Sequence, residues 1–421
     1  MSDFLRLLRR NRNYRYLWLG QIVSEIGDHF NTIAVFTLAL ENTGSGVIVS
    51  GVLLARAVAV IAAGPVAGVL LDRMDRRKMM LMSDVVRALV GISFLLCLQF
   101  RDNWMLFLLS GLLMFASPFF TSGRAAILPI IANRRQLHTA NSLTQTTQWT
   151  TLAIGTMLGG TSVMQFGYAL AFILNGLSFL VSAVCIGQMR SPSGFRPRRD
   201  LLAEQQVVQP WKEYREGLRY MRGVPLIFGL ALLHVGWATG GGAAQVLFSL
   251  FGVQVFNRGA AGIGIIWAAA AVGLLFGGAI AHKLGKRLDF NSYKWTVAIC
   301  YVIHGATYVL FSQMKQFWLA LLFIGLSRAA VGVTSVLNMT QLLRHVADEY
   351  RGRVFSTIES MNWATMMFSM MAAGIASDYY SPRLIGACSG ILSGSTAIFW
   401  AWGHLAGKLT DPAVQPKQSN A

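Results

Sequence analysis

The chain has 421 residues, of which 54% are hydrophobic and only 13% are charged, and its formal net charge at pH 7 is +18. Soluble proteins carry roughly 25% charged residues, so this chain has too few charges to cover the surfaces of soluble domains. Its many apolar runs of about 20 residues, each long enough to cross about 30 Å of hydrocarbon as a helix, indicate an integral membrane protein.

Twelve transmembrane helices are predicted along the chain, six in each half. Their expected bounds are 16–40, 46–70, 79–99, 104–130, 142–164, 168–187, 225–249, 260–282, 294–312, 317–343, 355–376 and 384–406. Pro65, Pro118 and the glycine run 240–242 are the expected places for a kink or break, since membrane helices tolerate both residue types.

The distribution of Lys and Arg predicts the orientation. The basic N-terminus is followed by an apolar stretch that is too long for a cleaved signal and contains Glu25 and Asp28. With the N-terminus in the cytoplasm, the outside loops hold only Arg101, Arg258, Lys315 and Arg383. We therefore predict a multi-pass protein of the cytoplasmic (inner) membrane with both termini inside, whose excess charge faces anionic lipid headgroups rather than nucleic acid.

A basic, polar stretch divides the chain into two halves. The predicted division is an N-terminal six-helix bundle (1–187), a cytoplasmic linker (188–223), a C-terminal six-helix bundle (224–407) and a cytoplasmic tail (408–421). Within the linker, residues 211–222 predict an amphipathic helix on the inner membrane face, with Trp211, Tyr214, Leu218 and Met221 on one side.

The hairpin between spans two and three, GVLLDRMDRRK, concentrates charge in an otherwise apolar region. Asp72 ends span two, where the helix dipole disfavours an acid, so this carboxylate needs a partner. A similar pattern follows the second span of the other half, at Gly278, His282-Lys283 and Lys286-Arg287. Weak symmetry of this kind between two halves is a feature of transporter folds.

The hairpin resembles the loop signature of the major facilitator superfamily, G-x-x-x-D-R-x-G-R-R/K, with Asp75 in place of the second glycine. Six further segments are similar to the branch with macrolide-efflux proteins and the enterobactin exporter: YRYLWLGQIVSEIGDHF, LLDRMDRRKMMLMSDVVRA, RRQLHTANSL, FILNGLSFLVSA, EYREGLRYMRG and VADEYRGRVFSTIES. The resemblance implies an all-α fold of two pseudo-symmetric six-helix bundles. It also implies a cytoplasmic gate that stabilises the outward-open state, formed by Gly68, Asp72, Arg73, Arg76, Arg77, Asp84, Arg87 and Arg124.

Span five contains a second resemblance, to the antiporter motif G-P-x-x-G-G. Gly155, Gly159 and Gly160 match its glycines, whereas Thr156 stands where the motif has proline. The glycines are equally well explained as a small-residue face that lets two helices pack closely.

Ionisable residues inside spans are costly and are therefore candidates for function. Span one holds Gln21, Glu25, Asp28 and Thr32 on one helical face, and Arg56 lies at similar depth in span two. Glu25, Asp28 and Arg56 are the predicted proton-coupling residues, and the similar depth of Asp28 and Arg56 predicts a pair between them. A static ion pair or a helix-packing contact is the alternative.

Scattered polar groups among Phe, Trp and Met predict a cavity for a large amphipathic or cationic solute. For each of them, a hydrogen bond between helices is an equally good explanation. The candidates are Gln21, Gln145, Gln148, Trp149, His234, Trp237, Gln245, Arg328, Glu359 and Asn362.

The predicted function is a secondary active transporter that exports a small hydrophobic or amphipathic compound, such as a drug, a macrolide-like product or a siderophore, in exchange for protons. A facilitator or flippase of a lipid-like solute such as a lysophospholipid is the alternative. The sequence contains no Walker loop, metal-ligand spacing or paired-carboxylate site, so we predict no cofactor, metal or catalytic residue. An intramembrane enzyme or a transport-dead sensor is disfavoured. The chain is expected to act as a monomer with small-molecule substrate, protons and membrane lipids as partners.

Overall fold

A computed structural model describes residues 3–100, 103–190, 195, 210–285 and 287–410. Within these ranges it does not describe the side chains of Asp3, Asp72, Arg134, Arg135, His138, Pro210, Glu213 and Asp348. All regular elements of these ranges are helices. The first are α1 (Asp3–Arg10), α2 (Arg12–Thr43), α3 (Gly46–Arg73), α4 (Arg76–Ser93), α5 (Leu95–Phe100), α6 (Asn103–Ile131) and α7 (Arg134–Gly187).

The linker region contributes one helix, α8 (Pro210–Gly223), and the second half follows it. Its helices are α9 (Pro225–Leu250) with a π-helical turn over Phe251–Val255, α10 (Gly259–Leu284), α11 (Phe290–Gln313), α12 (Phe317–His345), α13 (Asp348–Ala376), α14 (Pro382–Gly394) and α15 (Thr396–Leu405).

Polar side chains fix where several helices begin. Asn11 accepts a hydrogen bond from the N–H of Tyr14 at 3.0 Å, and Ser45 accepts one from the N–H of Val47 at 3.1 Å. Asn133 starts α7 with a capping box that includes Gln136. Each cap satisfies an N–H that the helix itself leaves without a partner, which matters most near a membrane.

The helices account for the twelve predicted passes. Among the described residues, nine segments are long and apolar enough to cross a membrane, and one of them, Thr139–Gly187, is long enough for two passes. Gly167, with φ of 78°, interrupts the helical geometry within it. The remaining two passes are α2 and α13. Their charged and polar residues lower their mean hydropathy, so these helices are not among the nine segments.

Helix breaks fall at other places than the sequence predicted. α3 continues through Pro65, α6 continues through Pro118, and α9 includes the run 240–242. No helix is broken at these residues, so of the predicted kink or break the break is wrong, and the glycines have a packing role. A Cβ on Gly240 would lie 2.6 Å from the carbonyl oxygen of Ser389, so this glycine lets α9 pack closely against α14. The interruptions lie at Phe94, Gly167, 251–255 and Ser395.

The described residues belong to two compact units, Met1–Gln205 with Phe248–Ala268 and Gln206–Leu247 with Ala269–Ala421. In the first unit, α2 packs along α7, α3 packs on α6, and α4 packs on both α6 and α7. The segment 248–268 packs here because glycines allow it: a Cβ on Gly264 would lie 2.2 Å from the carbonyl oxygen of Thr156. In the second unit, α11 packs on α12, α14 and α15.

The linker helix α8 is attached to α13 in the second unit. Tyr220 stacks on Tyr350 with ring centroids 4.5 Å apart, and Glu216 forms an ion pair of 3.1 Å with Arg353. Met221 is buried, as an amphipathic helix predicts. Trp211, predicted on the same side, is 72% exposed because it lies in the first turn, before the part of α8 that contacts α13.

Candidate functional site

Glu25 lies at the centre of a polar cluster in the first unit, formed by α2, α6 and α7. Gln21 donates a hydrogen bond of 2.8 Å to Glu25 Oε1, and the Thr151 hydroxyl donates one of 2.7 Å to Oε2. Arg124 Nη1 lies 3.8 Å from Oε1. Gln21 is only 2% exposed, whereas the Glu25 and Arg124 side chains are 19% and 16% exposed, so the cluster is partly buried. The carboxylate therefore has three polar partners.

Asp28 lies one helical turn further along α2 and is less well satisfied. Its Oδ1 is buried and has no hydrogen-bond partner among the described residues. Arg56 Nη2 donates to the Thr32 hydroxyl at 3.1 Å, and its guanidinium lies 5.8 Å from the centre of the Phe36 ring. The predicted direct pair between Asp28 and Arg56 is thus not formed among the described atoms, although the two charges lie within electrostatic range. The Arg56 side chain satisfies the Thr32 hydroxyl instead.

The glycines of span five bring α7 against α2 and the start of α10. A Cβ on Gly155 would lie 2.9 Å from the His29 ring, and one on Gly159 would lie 3.0 Å from Cα of Phe30. A Cβ on Gly160 would lie 2.5 Å from the carbonyl oxygen of Ala260. These distances leave no room for a side chain, so all three glycines have a packing role. The same contact places the polar face of α2 beside α7.

A buried ion pair lies on α4 of the same unit. Arg87 donates to Asp84, and both side chains are almost completely buried. The guanidinium of Arg87 lies between two aromatic rings, 4.6 Å from the centre of Phe120 and 4.4 Å from that of Phe179. Cation–π contacts on both faces and the carboxylate at the edge stabilise a charge that burial would otherwise penalise. Arg124, predicted as part of this network, forms its ion pair with Glu25.

The charged hairpin between α3 and α4 has a defined geometry. Asp75 is the N-cap of α4 and accepts a hydrogen bond of 3.1 Å from the N–H of Lys78. Arg77 Nε donates at 3.0 Å to the carbonyl oxygen of Ile186, and its Nη2 donates to that of Gly187. It therefore satisfies the last carbonyl groups of α7, where a helix dipole favours a cation.

The other residues of the predicted gate make fewer contacts. Arg76 Nη1 donates to the carbonyl oxygen of Ala126 at 3.2 Å, whereas Arg73 is exposed. A Cβ on Gly68 would have nothing within 4 Å, so close packing does not require this glycine. The Asp72 side chain lies outside the described residues.

In the second unit, the predicted cavity residues of α9 and α12 lie in separate surroundings. His234 Nδ1 is 2.8 Å from the carbonyl oxygen of Leu230, and the Trp237 indole N–H is buried without a partner among the described residues. Gln245 is half-buried on the same helix. Arg328 is buried on α12 with its guanidinium 5.9 Å from the centre of the Tyr308 ring.

The remaining candidates lie on α13 and α7. On α13, Trp363 donates to Glu359 Oε1 at 2.8 Å, and Asn362 Oδ1 is buried without a partner among the described residues. In the first unit, Gln145 is exposed, and Gln148 and Trp149 are half-buried on α7. Their roles in substrate binding remain predictions.

Sequence reasoning missed polar residues that depend on contacts between helices. Thr151 binds Glu25 and lies on the α7 face that carries Thr147 and Gln148, so helical spacing was the available signal. His304 bridges two helices through Ser327 at 2.7 Å and Ser393 at 2.8 Å, and only its place inside an apolar run marked it. No group of three or more His, Cys, Asp or Glu suited to a metal ion occurs in the described part of the chain.

The helices, the two units and the buried charges define a multi-pass membrane protein of the transporter class. The Major Facilitator Superfamily matches residues 17–291, well over half of the chain. The chain belongs to this superfamily, as the hairpin motif predicted, and is a transporter rather than an enzyme.

Relatives include transporters of several bacteria. The chain is 25% identical to the uncharacterized MFS-type transporter YfiS of Bacillus subtilis (strain 168), over 90% of each chain. It is 21% identical to macrolide efflux protein A of Streptococcus pyogenes, over 86% of this chain and 88% of that protein. It is 28% identical to the enterobactin exporter EntS of Escherichia coli O1:K1 / APEC, over 69% and 67%. These relatives confirm the predicted resemblance to the macrolide-efflux and enterobactin-exporter branch.

Solved structures share the fold. A bacterial homologue of the human lysosomal transporter Spinster, in an inward-facing and unoccupied conformation, matches with a TM-score of 0.68. The match covers 96% of this chain and 99% of that one at 15% identity. At this identity the likeness concerns the fold alone.

Proposed function

We propose that the chain exports a small hydrophobic or amphipathic compound across the cytoplasmic membrane of a bacterium in exchange for protons, by alternating access. The observation that carries the coupling is the pair of partly buried carboxylates on α2, Glu25 and Asp28, because charged groups within a membrane span are retained for function. Relatives named as exporters support the direction of transport.

Glu25 is suited to bind and release the coupled proton. Its two carboxylate oxygens face different partners, the Gln21 amide and the Thr151 hydroxyl, and Arg124 provides a positive charge nearby. A carboxyl group that is buried in one state and hydrated in the other exchanges a proton between them. A change in the position of α7 relative to α2 would move Thr151 and so change the balance between the two forms.

Asp28 has a different environment and a complementary role. Its Oδ1 lacks a hydrogen-bond partner among the described residues, and Arg56 is close enough to influence it without binding it. A buried carboxyl oxygen of this kind favours a proton or a cationic part of the substrate. Asp28 therefore links substrate binding to proton binding, since both compete for one carboxylate.

The experiment uses proteoliposomes with an imposed pH gradient and a lumenal pH dye. A panel of macrolides, lipophilic cations, catechol siderophores and lysolipids is added to wild type and to the double variant Glu25→Gln/Asp28→Asn. We expect one class to move protons in wild type and not in the double variant. Glu41→Gln is the matched control, because Glu41 is an exposed acid on the same helix.

Three other outcomes contradict the proposal in different ways. Substrate flux without proton movement would indicate a uniporter and make the two acids structural. Flux of lysolipid alone would favour a flippase of lipid-like solutes. Proton movement that survives the double substitution would place coupling outside α2.

A further inference from the structure

A cavity of about 650 Å³ lies in the second unit, between α9 and the helices α14 and α15. This volume is within the range of about 300–1,000 Å³ that is typical of sites for small ligands. Its walls are mostly aliphatic and aromatic, with Leu232, Leu392, Phe399 and Trp402 among the lining residues. None of the residues proposed above for proton coupling or substrate binding lines it.

The walls face outward from the unit. Phe399 is 69% exposed and Trp402 is 59% exposed, although both are large apolar side chains. Within a membrane such side chains meet lipid chains. The cavity runs along α9 from Pro225 to Thr239, which is about 21 Å at 1.5 Å per residue. That length exceeds one half of a hydrocarbon core of about 30 Å.

Cations are found at one end of the cavity. Arg222, in the last turn of α8, and Lys408, just after α15, both line it. The Lys408 ammonium lies 4.2 Å from the centre of the Trp402 ring. Neither cation forms an ion pair with a carboxylate among the described residues. The predicted topology places this end at the cytoplasmic surface, where anionic lipid headgroups attract Lys and Arg.

We propose that this cavity binds an acidic phospholipid of the cytoplasmic leaflet. Arg222 and Lys408 bind its phosphate, and one acyl chain lies along the apolar wall between α9 and α15. The inference does not depend on the proposed proton exchange. A zwitterionic lipid would fill the apolar part equally well, but its ammonium group would offset the attraction of two cations that form no ion pair with a described carboxylate.

The test measures lipid binding directly on the purified full chain. Delipidated protein in a mild detergent is titrated with phosphatidylglycerol or phosphatidylcholine, and bound lipid is counted by native mass spectrometry. At about fivefold gain for each of two cations near an anionic surface, the preference for phosphatidylglycerol is expected to be of the order of thirtyfold. Melting temperature is followed in parallel and should rise with phosphatidylglycerol.

Matched variants separate the headgroup contact from general surface charge. Arg222→Gln/Lys408→Gln should remove the preference and leave phosphatidylcholine binding unchanged. Lys212→Gln/Arg215→Gln changes the same charge on exposed positions of α8 that do not line the cavity, and should keep the preference. Leu392→Trp narrows the cavity and should weaken the binding of both lipids. Leu319→Trp, at an exposed position on α12, should leave the binding of both unchanged.

Several results would overturn the inference. Wild type without preference for phosphatidylglycerol excludes an acidic-lipid site. An equal loss of the preference for phosphatidylglycerol in the two charge variants would mean that the lipid is attracted nonspecifically to the basic surface. Unchanged binding in Leu392→Trp would place the lipid elsewhere. Because none of these readouts uses transport, a failure here leaves the proton-exchange proposal untouched.

Discussion

Asp75 shows how one residue can depart from a family motif and keep its local structure. The motif has glycine at this position, and Asp75 serves as the N-cap of α4. Both residue types are favoured at an N-cap, aspartate through its side chain and glycine through its exposed backbone. The hairpin geometry therefore does not require the glycine.

This argument predicts a difference between two substitutions at Asp75. Asp75→Ala should destabilise the start of α4 by about 1 kcal/mol, whereas Asp75→Gly should destabilise it by only about a few tenths of a kcal/mol. Hydrogen exchange at the Arg77 and Lys78 amides measures the local effect. Equal exchange rates in the two variants would show that the cap contributes nothing.

The buried pair of Asp84 and Arg87 should behave as one unit. Removing either partner alone, as Asp84→Leu or Arg87→Leu, leaves a buried charge and should cost about 3–5 kcal/mol. The double variant should cost much less than the sum, measured by melting in detergent. The Glu216–Arg353 pair, with side chains 31% and 37% exposed, is the control and should contribute about 0–1 kcal/mol. Additive losses at Asp84 and Arg87 would contradict the prediction.

Single residues of the site were predictable where the signal lay within one helix. Gln21 and Glu25 are four residues apart, and helical periodicity alone placed them together. Thr151 is 126 residues from Glu25, so its contact depends on how α7 packs on α2. Arg56 was given the correct depth, but its choice of Thr32 over Asp28 is set by side-chain geometry between helices.

At the scale of elements, the glycines of α7 fix the distance between helices. Gly160→Ala would bring Cβ within 2.5 Å of the Ala260 carbonyl oxygen and should destabilise the first unit by about 1–3 kcal/mol. Gly68→Ala, which meets nothing within 4 Å, is the control and should be neutral. Melting temperatures of the purified variants measure both. A tolerated Gly160→Ala would mean that α7 and α10 do not pack this closely.

The attachment of α8 to α13 makes a second prediction about an element. A Cβ on Gly217 would lie 2.5 Å from the Thr357 hydroxyl and 2.7 Å from the Arg353 carbonyl oxygen. Gly217→Val should therefore detach α8 and raise hydrogen exchange across 211–222. Gly223→Val is the control on the same helix, because nothing lies within 4 Å of its Cβ position. Unchanged exchange in Gly217→Val would show that α8 is held by other contacts.

The sequence predicted which transmembrane helices exist better than it predicted where these helices are interrupted. Apolar runs indicated all twelve passes, since the length needed to cross hydrocarbon leaves little choice. Pro65 and Pro118 remain inside helices because neighbouring groups can satisfy the backbone atoms that proline frees. Gly240 and Gly242 lie at close contacts with Ser389 and Met366. Sequence alone does not distinguish a glycine that bends a helix from one that permits such a contact.

At the scale of the whole molecule, the two passes with the weakest apolar signal are the helices that carry candidate functional residues. α2 carries Glu25 and Asp28, and α13 carries Glu359 and Asn362. Polar residues interrupt the apolar run in both helices, so a strict criterion of mean hydropathy omits them, whereas the pattern of apolar runs includes them. A transporter needs polar groups at membrane depth. The helices that carry these groups are therefore less apolar than a membrane-spanning helix usually is.

The count of passes decides the topology, which gives the last prediction. Twelve passes place both termini on one side, and the distribution of Lys and Arg predicts that this side is the cytoplasm. Alkaline phosphatase fused after Ala421 should be inactive, and green fluorescent protein fused there should fluoresce. A phosphatase fusion after Met314, in the loop between α11 and α12, is the control and should be active. If both fusions are active, the number of passes between Met314 and Ala421 is even rather than three, which would remove from the membrane a helix of this stretch, such as α13 with the polar groups that it carries.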